Sequence, residues 1–231
     1  DKITVVMDGP KTVSAHFTPT AYSLVLSAQN GTVAKVPDQA SYAYGSEISL
    51  KALPNEGYLF AGWKGDLAGD QEAVTLVMNG PKTITAEYLP KRYLLTLRAE
   101  GGKISVSPQE EQYAHGTRVT LKAVPQEGTH FTRWGGDVKS ADPTIELVLD
   151  APKTVEAYFE ANVYLLKLMS NGGRIVRDPE MPAYAHGSQV TLKAVADQGY
   201  DFSKWDGSVS GDKDKITVVM DGPKTVSAHF T

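Results

Sequence analysis

The sequence has 231 residues, 41% hydrophobic and 22% charged, which is typical of a soluble folded protein and too apolar for intrinsic disorder. A net charge of -4 with scattered lysines and arginines excludes a basic surface for nucleic acid, and the absence of cysteine excludes disulfides and thiol catalysis. Because no apolar stretch approaches ~18 residues, we expect no direct membrane insertion, and we expect any export signal to lie outside this sequence.

The chain starts with an 18-residue segment that returns unchanged at its other end. Residues 1–18 and 214–231 both read DKITVVMDGPKTVSAHFT. The chain also repeats with a shorter period of 71 residues, which is the spacing between its three tryptophans, Trp63, Trp134 and Trp205. The first segment matches its counterpart one short period later in only 8 of 18 positions. The pattern indicates a natural array whose duplicated unit is a triplet of modules. A designed chain with matched ends is the alternative.

Each module is predicted to begin with a strand and a turn. In the first module, Tyr22, Leu24 and Leu26 fall on one face of an alternating segment, which predicts a strand with one buried face. The pair Asn30-Gly31 follows, then a short segment that carries Val33. A turn pair of this type between two strands predicts a β-hairpin. The later modules have Gly101-Gly102 and Gly172-Gly173 at the same place.

A third predicted strand is followed by the segment that contains the tryptophan. Ile48 and Leu50 alternate with polar residues, which indicates a third strand. Phe60 and Trp63 come next and have opposite parity, so both can face one core only if a bulge or a strand end lies between them. Gly62 favours such a bulge, although only the first module has a glycine there.

The module is predicted to end in a second hairpin. Val74, Leu76 and Met78 alternate, a Gly-Pro turn follows, and Ile84 and Tyr88 lie in the last strand. Each module thus has five or six short strands. The short linkers are not rich in Gly and Ser, which favours a rod-like array over flexible beads. The predicted fold is an all-β tandem array of three small modules, at residues 22–88, 93–159 and 164–231.

Residues 1–18 are left over when modules begin at Tyr22, and they are interpreted as the C-terminal hairpin of a preceding repeat. Their apolar side chains would have no sheet of their own, and a lone hairpin is marginally stable. We expect this association hairpin to dock on the first module or to replace residues 214–231 of another molecule. If the boundary is instead the Gly/Asp loop at 65–71, the C-terminal hairpin is the orphan. The apolar residues concerned are Ile3, Val5, Met7, Val13 and Phe17.

A recurring set of residues carries a family resemblance over essentially the whole chain. In the first module the set is Tyr22, Tyr42, Gly45, Leu50, Ala52, Gly57, Phe60, Trp63, Gly65, Asp66, Met78, Lys82, Thr83, Ala86 and Tyr88. This pattern resembles the divergent internalin-type B-repeats of bacterial surface proteins. The resemblance implies a secreted or wall-attached multidomain protein whose repeats are stalks, adhesive modules or appendages to enzymes. Thr129 and Ser208 depart from the pattern, replacing a Tyr and an Asp.

Nine aromatic residues at repeating positions are predicted to form the structural core, because one Trp per module beside a Phe is usually a buried pillar. A sugar-stacking platform formed by the three tryptophans is the alternative. The nine residues are Trp63, Trp134, Trp205, Phe60, Phe131, Phe202, Tyr22, Tyr93 and Tyr164.

Other polar groups indicate no chemistry. The acidic loop with Asp66, Asp70 and Glu72 has a spacing that differs between modules, which favours a solvated turn over a calcium site. His186 and its counterparts have no second ligand in register, so they predict no metal site. No catalytic constellation stands out. We therefore expect no cofactor, no metal and no enzyme activity.

The repeats and the family resemblance together imply a non-catalytic extracellular or cell-surface segment that acts as a stalk, spacer or filament-forming adhesive region. Its expected partners are neighbouring repeats of the same protein, including end-to-end self-association. The alternative function is an array of glycan- or protein-binding modules, appended in some proteins to a secreted enzyme.

Overall fold

A computed structural model describes residues 2–231. All regular structure in that part of the chain is β-strand. The chain divides into two compact units, Asp1–Lys91 and Arg92–Thr231. The first unit contains one module and the second contains two, and each module has eight strands in the same order. The predicted all-β tandem arrangement is confirmed. The predicted number of five or six strands per module is too low, because two of the eight are two-residue strands that alternation does not reveal.

The strands of the first module are β1 (Ala21–Tyr22), β2 (Leu24–Ala28), β3 (Gly31–Val36), β4 (Tyr42–Ala43), β5 (Glu47–Pro54), β6 (Tyr58–Gly65), β7 (Ala73–Val77) and β8 (Lys82–Pro90). Those of the second are β9 (Arg92–Tyr93), β10 (Leu95–Glu100), β11 (Gly102–Ser107), β12 (Tyr113–Ala114), β13 (Thr117–Pro125), β14 (Thr129–Gly136), β15 (Thr144–Leu149) and β16 (Lys153–Ala161). Those of the third are β17 (Val163–Tyr164), β18 (Leu166–Asn171), β19 (Gly173–Asp178), β20 (Tyr184–Ala185), β21 (Gln189–Ala196), β22 (Phe202–Gly207), β23 (Lys215–Val219) and β24 (Lys224–Phe230).

Each module has two three-stranded sheets and a small two-stranded pair. In the first module β8 lies between β2, to which it is parallel, and β6, to which it is antiparallel. The second sheet is β3-β5-β7 and is antiparallel throughout. Strands β1 and β4 pair separately. The same pattern gives β10-β16-β14 with β11-β13-β15, and β18-β24-β22 with β19-β21-β23.

The two sheets of a module share one core. Leu50 of β5 and Ile84 of β8 are both 0% exposed and belong to one cluster with Trp63. Alternate residues of each strand point inward, as the period-two pattern predicts. Burial of such side chains stabilises the fold by roughly 1.5–3 kcal/mol each. Each module is therefore a small β-sandwich.

Both predicted hairpins are wrong. Strands β2 and β3 belong to different sheets, and so do β7 and β8, so each turn passes from one sheet to the other. The turn residue with positive φ is Asn30, at 66°. Gly31 is required for a different reason, because a Cβ there would lie 2.6 Å from the ring of Tyr88. Alternation identifies the buried face of a strand, whereas pairing depends on residues far apart in sequence.

The predicted bulge is present in all three modules. The pairing register shifts between Phe60 and Gly62, so Trp63 faces the same core as Phe60. The equivalent shifts leave Thr132 and Ser203 unpaired in the later modules. The bulge therefore does not require a glycine.

Residues 2–18 form no strand, and the predicted association hairpin is not found. Its apolar side chains are exposed, whereas their counterparts in 214–231 are half-buried or buried in the third module. The counterparts of residues 1–18 in the third module pair with other strands, β23 with β21 and β24 with β18 and β22. In the first module β7 and β8 occupy the corresponding places. Docking of residues 1–18 on the first module and their exchange with another molecule both stay predictions. The exposed residues are Ile3 (73%), Val5 (38%), Met7 (73%), Val13 (58%) and Phe17 (92%).

Candidate functional site: the junction between modules

The three tryptophans are buried, with exposed fractions of 3% or less. Their indole Nε1–H groups donate to backbone carbonyls eight residues further on, at 2.7–2.8 Å. The donor and acceptor pairs are Trp63 with Gln71, Trp134 with Asp142, and Trp205 with Lys213. No indole face is free for a sugar, and the tryptophans fix the loop that follows each bulge.

The other predicted core aromatics are half-buried, and the phenylalanines and the tyrosines contact different partners. The phenylalanines lie against the tryptophans, with ring centroids 5.1–5.3 Å apart. Each tyrosine makes an edge contact with the ring 22 residues further along the chain, with ring centroids 5.9–6.5 Å apart. The phenylalanines are Phe60, Phe131 and Phe202; the tyrosine pairs are Tyr22 with Tyr44, Tyr93 with His115, and Tyr164 with His186.

The acidic loop has a structural role. The Asp66 carboxylate accepts a hydrogen bond of 2.7 Å from the backbone N–H of Thr83, and Asp137 does the same in the second module. In the third module the hydroxyl of Ser208 accepts from Thr225 at 3.0 Å. Ser208 therefore preserves the contact that aspartate makes in the first two modules. Among residues 2–231 no group of three or more His, Asp or Glu side chains is placed to hold a metal.

An exposed polar cluster lies on the outer face of the second module. Glu156 accepts a hydrogen bond of 2.6 Å from the Tyr158 hydroxyl and lies 3.7 Å from Arg98. The Glu156 carboxylate raises the pKa of Tyr158 through this hydrogen bond and through its charge. Arg133 covers the Tyr158 ring, 3.9 Å from its centroid, and a Cβ at Gly135 would lie 2.6 Å from the ring. These groups satisfy one another through a hydrogen bond, an ion pair and a cation–π contact.

The linker residue Asn162 joins the second module to the third. Its backbone N–H donates to the carbonyl of Gly128 in the second module at 2.8 Å. Its carbonyl accepts from the N–H of His186 in the third module, also at 2.8 Å. Its side-chain Oδ1 lies 2.9 Å from Nδ1 of His130. Three hydrogen-bond contacts thus hold the linker to both modules.

A ring-on-glycine contact completes this junction. Gly128 has φ +76°, and a Cβ there would lie 2.2 Å from the His186 ring, so only glycine lets the ring approach this closely. The Nδ1 atom of His186 is buried without a hydrogen-bond partner among the described residues. His186 therefore acts here as a packing group.

Parts of the same junction recur in the first unit. The N–H of Tyr44 donates to the carbonyl of Thr20 at 3.1 Å, and the N–H of Lys91 donates to the carbonyl of Gly57 at 2.8 Å. Thr20 and Lys91 occupy the repeat position of Asn162. Sequence reasoning missed these residues as a set, although the glycine at positions 57, 128 and 199 and the ring at 44, 115 and 186 both repeat without a gap.

Comparison with known proteins agrees with this repeated architecture. A family model described as a divergent InlB B-repeat domain matches residues 22–92, 93–163 and 164–231. A relative from Evansella cellulosilytica, named as a Gly-rich membrane protein, is 26% identical over 213 residues. The alignment covers 84% of this chain and 23% of that relative, so the chain spans less than a quarter of the relative's length. The chain belongs to the divergent InlB B-repeat family and contains three tandem copies of its domain.

Proposed function

We propose that this chain is a non-catalytic spacer of a bacterial surface protein, which holds other parts of that protein away from the cell. The observation that carries the proposal is the hydrogen-bonded junction at Asn162. A linker that is bonded to both neighbouring modules fixes their relative position, whereas a free linker would not. Family membership and the relative named as a membrane protein support a location at the cell surface. No helix within residues 2–231 is long and apolar enough to cross a membrane.

The alternative is an array of glycan- or protein-binding modules. The three tryptophans that suggested a sugar platform are buried. The alternative therefore loses its sugar-stacking tryptophans, and it becomes an outcome of a binding test. Saturable binding of the chain to a glycan array, unaffected by substitutions at the junction, would replace the spacer proposal.

The spacer proposal is tested by measuring how firmly the second and third modules are joined. The chain has no cysteine, so Lys122→Cys and Lys193→Cys provide two unique sites for spin labels. Both lysines are exposed on strands β13 and β21. We expect a single narrow distribution of label-to-label distances. A matched variant with a flexible Gly-Ser insertion after Asn162 should give a broad distribution, and an equally broad distribution in the parent chain would refute the proposal.

A further inference from the structure

The junction between the second and third modules has two halves, and the chain carries an unoccupied copy of each. One half is the glycine of the preceding module, represented by Gly128. The other half is the ring of the following module, represented by His186, together with the linker residue. Gly199 is a glycine half and Tyr44 is a ring half, each at the matching repeat position.

The glycine half at the end of the third module has the backbone of the occupied one. Gly199 has φ +88°, against +76° for Gly128, and no atom of residues 2–231 outside the adjoining chain lies within 4 Å of a Cβ placed there. Two backbone hydrogen bonds between Asp201 and Thr231, at 2.8 and 2.9 Å, hold the strand ends beside it. The surface that receives a ring in the second module is thus present and open in the third.

The ring half at the start of the first module is also in place. Tyr44 is 68% exposed, and its ring contacts Tyr22 at 6.5 Å and 61°. His186 contacts Tyr164 in nearly the same way, at 6.0 Å and 63°. The backbone N–H of Tyr44 bonds to the linker carbonyl of Thr20, as that of His186 bonds to Asn162. The ring is oriented as in the occupied junction.

We infer that the face around Gly199 is the seat for a further first module, whose Tyr44 ring lies on Gly199 and whose Thr20 bridges the two modules. The occupant is indicated by the chain itself. Residues 1–18 are identical to 214–231, and Pro19 and Thr20 follow them, so the linker that leads from this ending into a first module is present in the sequence.

The side chains of the two halves are complementary as well. In the occupied junction the linker side chain of Asn162 meets His130. At the open face the position of His130 is taken by Asp201, and the position of Asn162 in the incoming linker is taken by Thr20. A threonine hydroxyl donates to a carboxylate, which is a charge-assisted hydrogen bond. A seat of this kind repeated along an array extends the spacer, so the inference builds on the proposed function.

The test is a full chain extended after Thr231 by a second copy of residues 19–91. Spin labels are placed at Lys193→Cys and at Lys51→Cys of the appended copy, on equivalent strands. We expect a narrow distance distribution like that of the Lys122→Cys and Lys193→Cys pair. Tyr44→Ala in the appended copy should cause loss of the narrow peak. The matched control is Tyr44→Ala in the original first module, which should leave it unchanged.

Each outcome has one meaning. A broad distribution in the unsubstituted extended chain overturns the inference, and so does a narrow one that Tyr44→Ala in the appended copy does not alter. The pair at positions 122 and 193 reports the existing junction alone. If that pair is broad the spacer proposal fails, whatever the appended module does.

Discussion

The indole N–H of Trp134 donates a hydrogen bond of 2.7 Å to the backbone carbonyl of Asp142, and the same contact is made in each of the other modules. The tryptophan is 1% exposed and packs between the two sheets of the second module. One side chain therefore both fills the core and fixes the irregular loop after strand β14.

Replacing this tryptophan should destabilise its module severely. We expect Trp134→Ala to lower the free energy of unfolding of the second module by about 3 to 5 kcal/mol, as large buried aromatics do on truncation. Hydrogen exchange resolved by module is the measurement, since a three-module chain need not unfold in one step. Tyr44→Ala, at an exposed aromatic, is the control. Unchanged protection in the second module would mean that Trp134 is not a core residue.

The junction glycine and its open counterpart form a matched pair. Ala in place of Gly199 should cost about 1 to 2 kcal/mol, because the left-handed backbone is strained for a side chain. Gly128→Ala carries the same backbone strain and in addition places its Cβ against His186. We expect the larger loss of stability at Gly128, with faster amide exchange at Asn162 and His186. Equal effects of the two substitutions would show that the ring contact contributes nothing.

Acid should weaken the turn that precedes strand β16. The Lys153 ammonium, 2.8 Å from Asp150, holds the pKa of that carboxyl below its ordinary value of 3.8, chiefly through their hydrogen bond. A lowered folded-state pKa stabilises the fold above the unfolded-state pKa, and the contribution is lost as pH falls through the folded-state value. Asp150→Asn should therefore remove part of the decline in stability below about pH 4. Acid titrations of unfolding that superimpose for parent and variant would contradict this.

Deletion of residues 1–18 should leave the three modules folded. The structure places no strand in residues 2–18, and their apolar side chains are exposed. We expect the unfolding of the first module, followed by hydrogen exchange, to be the same with and without the segment. Deletion of the identical residues 214–231 is the contrasting variant, and it should unfold the third module because it removes β23 and β24. Loss of protection around Trp63 on deletion of 1–18 would place the module boundary at the Gly/Asp loop.

Much of this architecture follows from the sequence because it depends on local pattern. The period of 71 residues, the all-β class and the buried face of each long strand are consequences of repetition and alternation. The bulge after Phe60 follows in the same way, since two large aromatics of opposite parity reach one core only across an extra residue.

Only the tertiary structure decided which strands pair and what joins the modules. The parallel pairing of β2 with β8, and the passage of each turn between sheets, depend on contacts across about sixty residues that alternation leaves open. For the same reason residues 2–18 resemble a hairpin in sequence although their counterparts β23 and β24 never pair with each other. The contact of Gly128 with His186 joins different modules. The local sequence around a glycine or a ring in one module does not indicate which residue of another module it contacts.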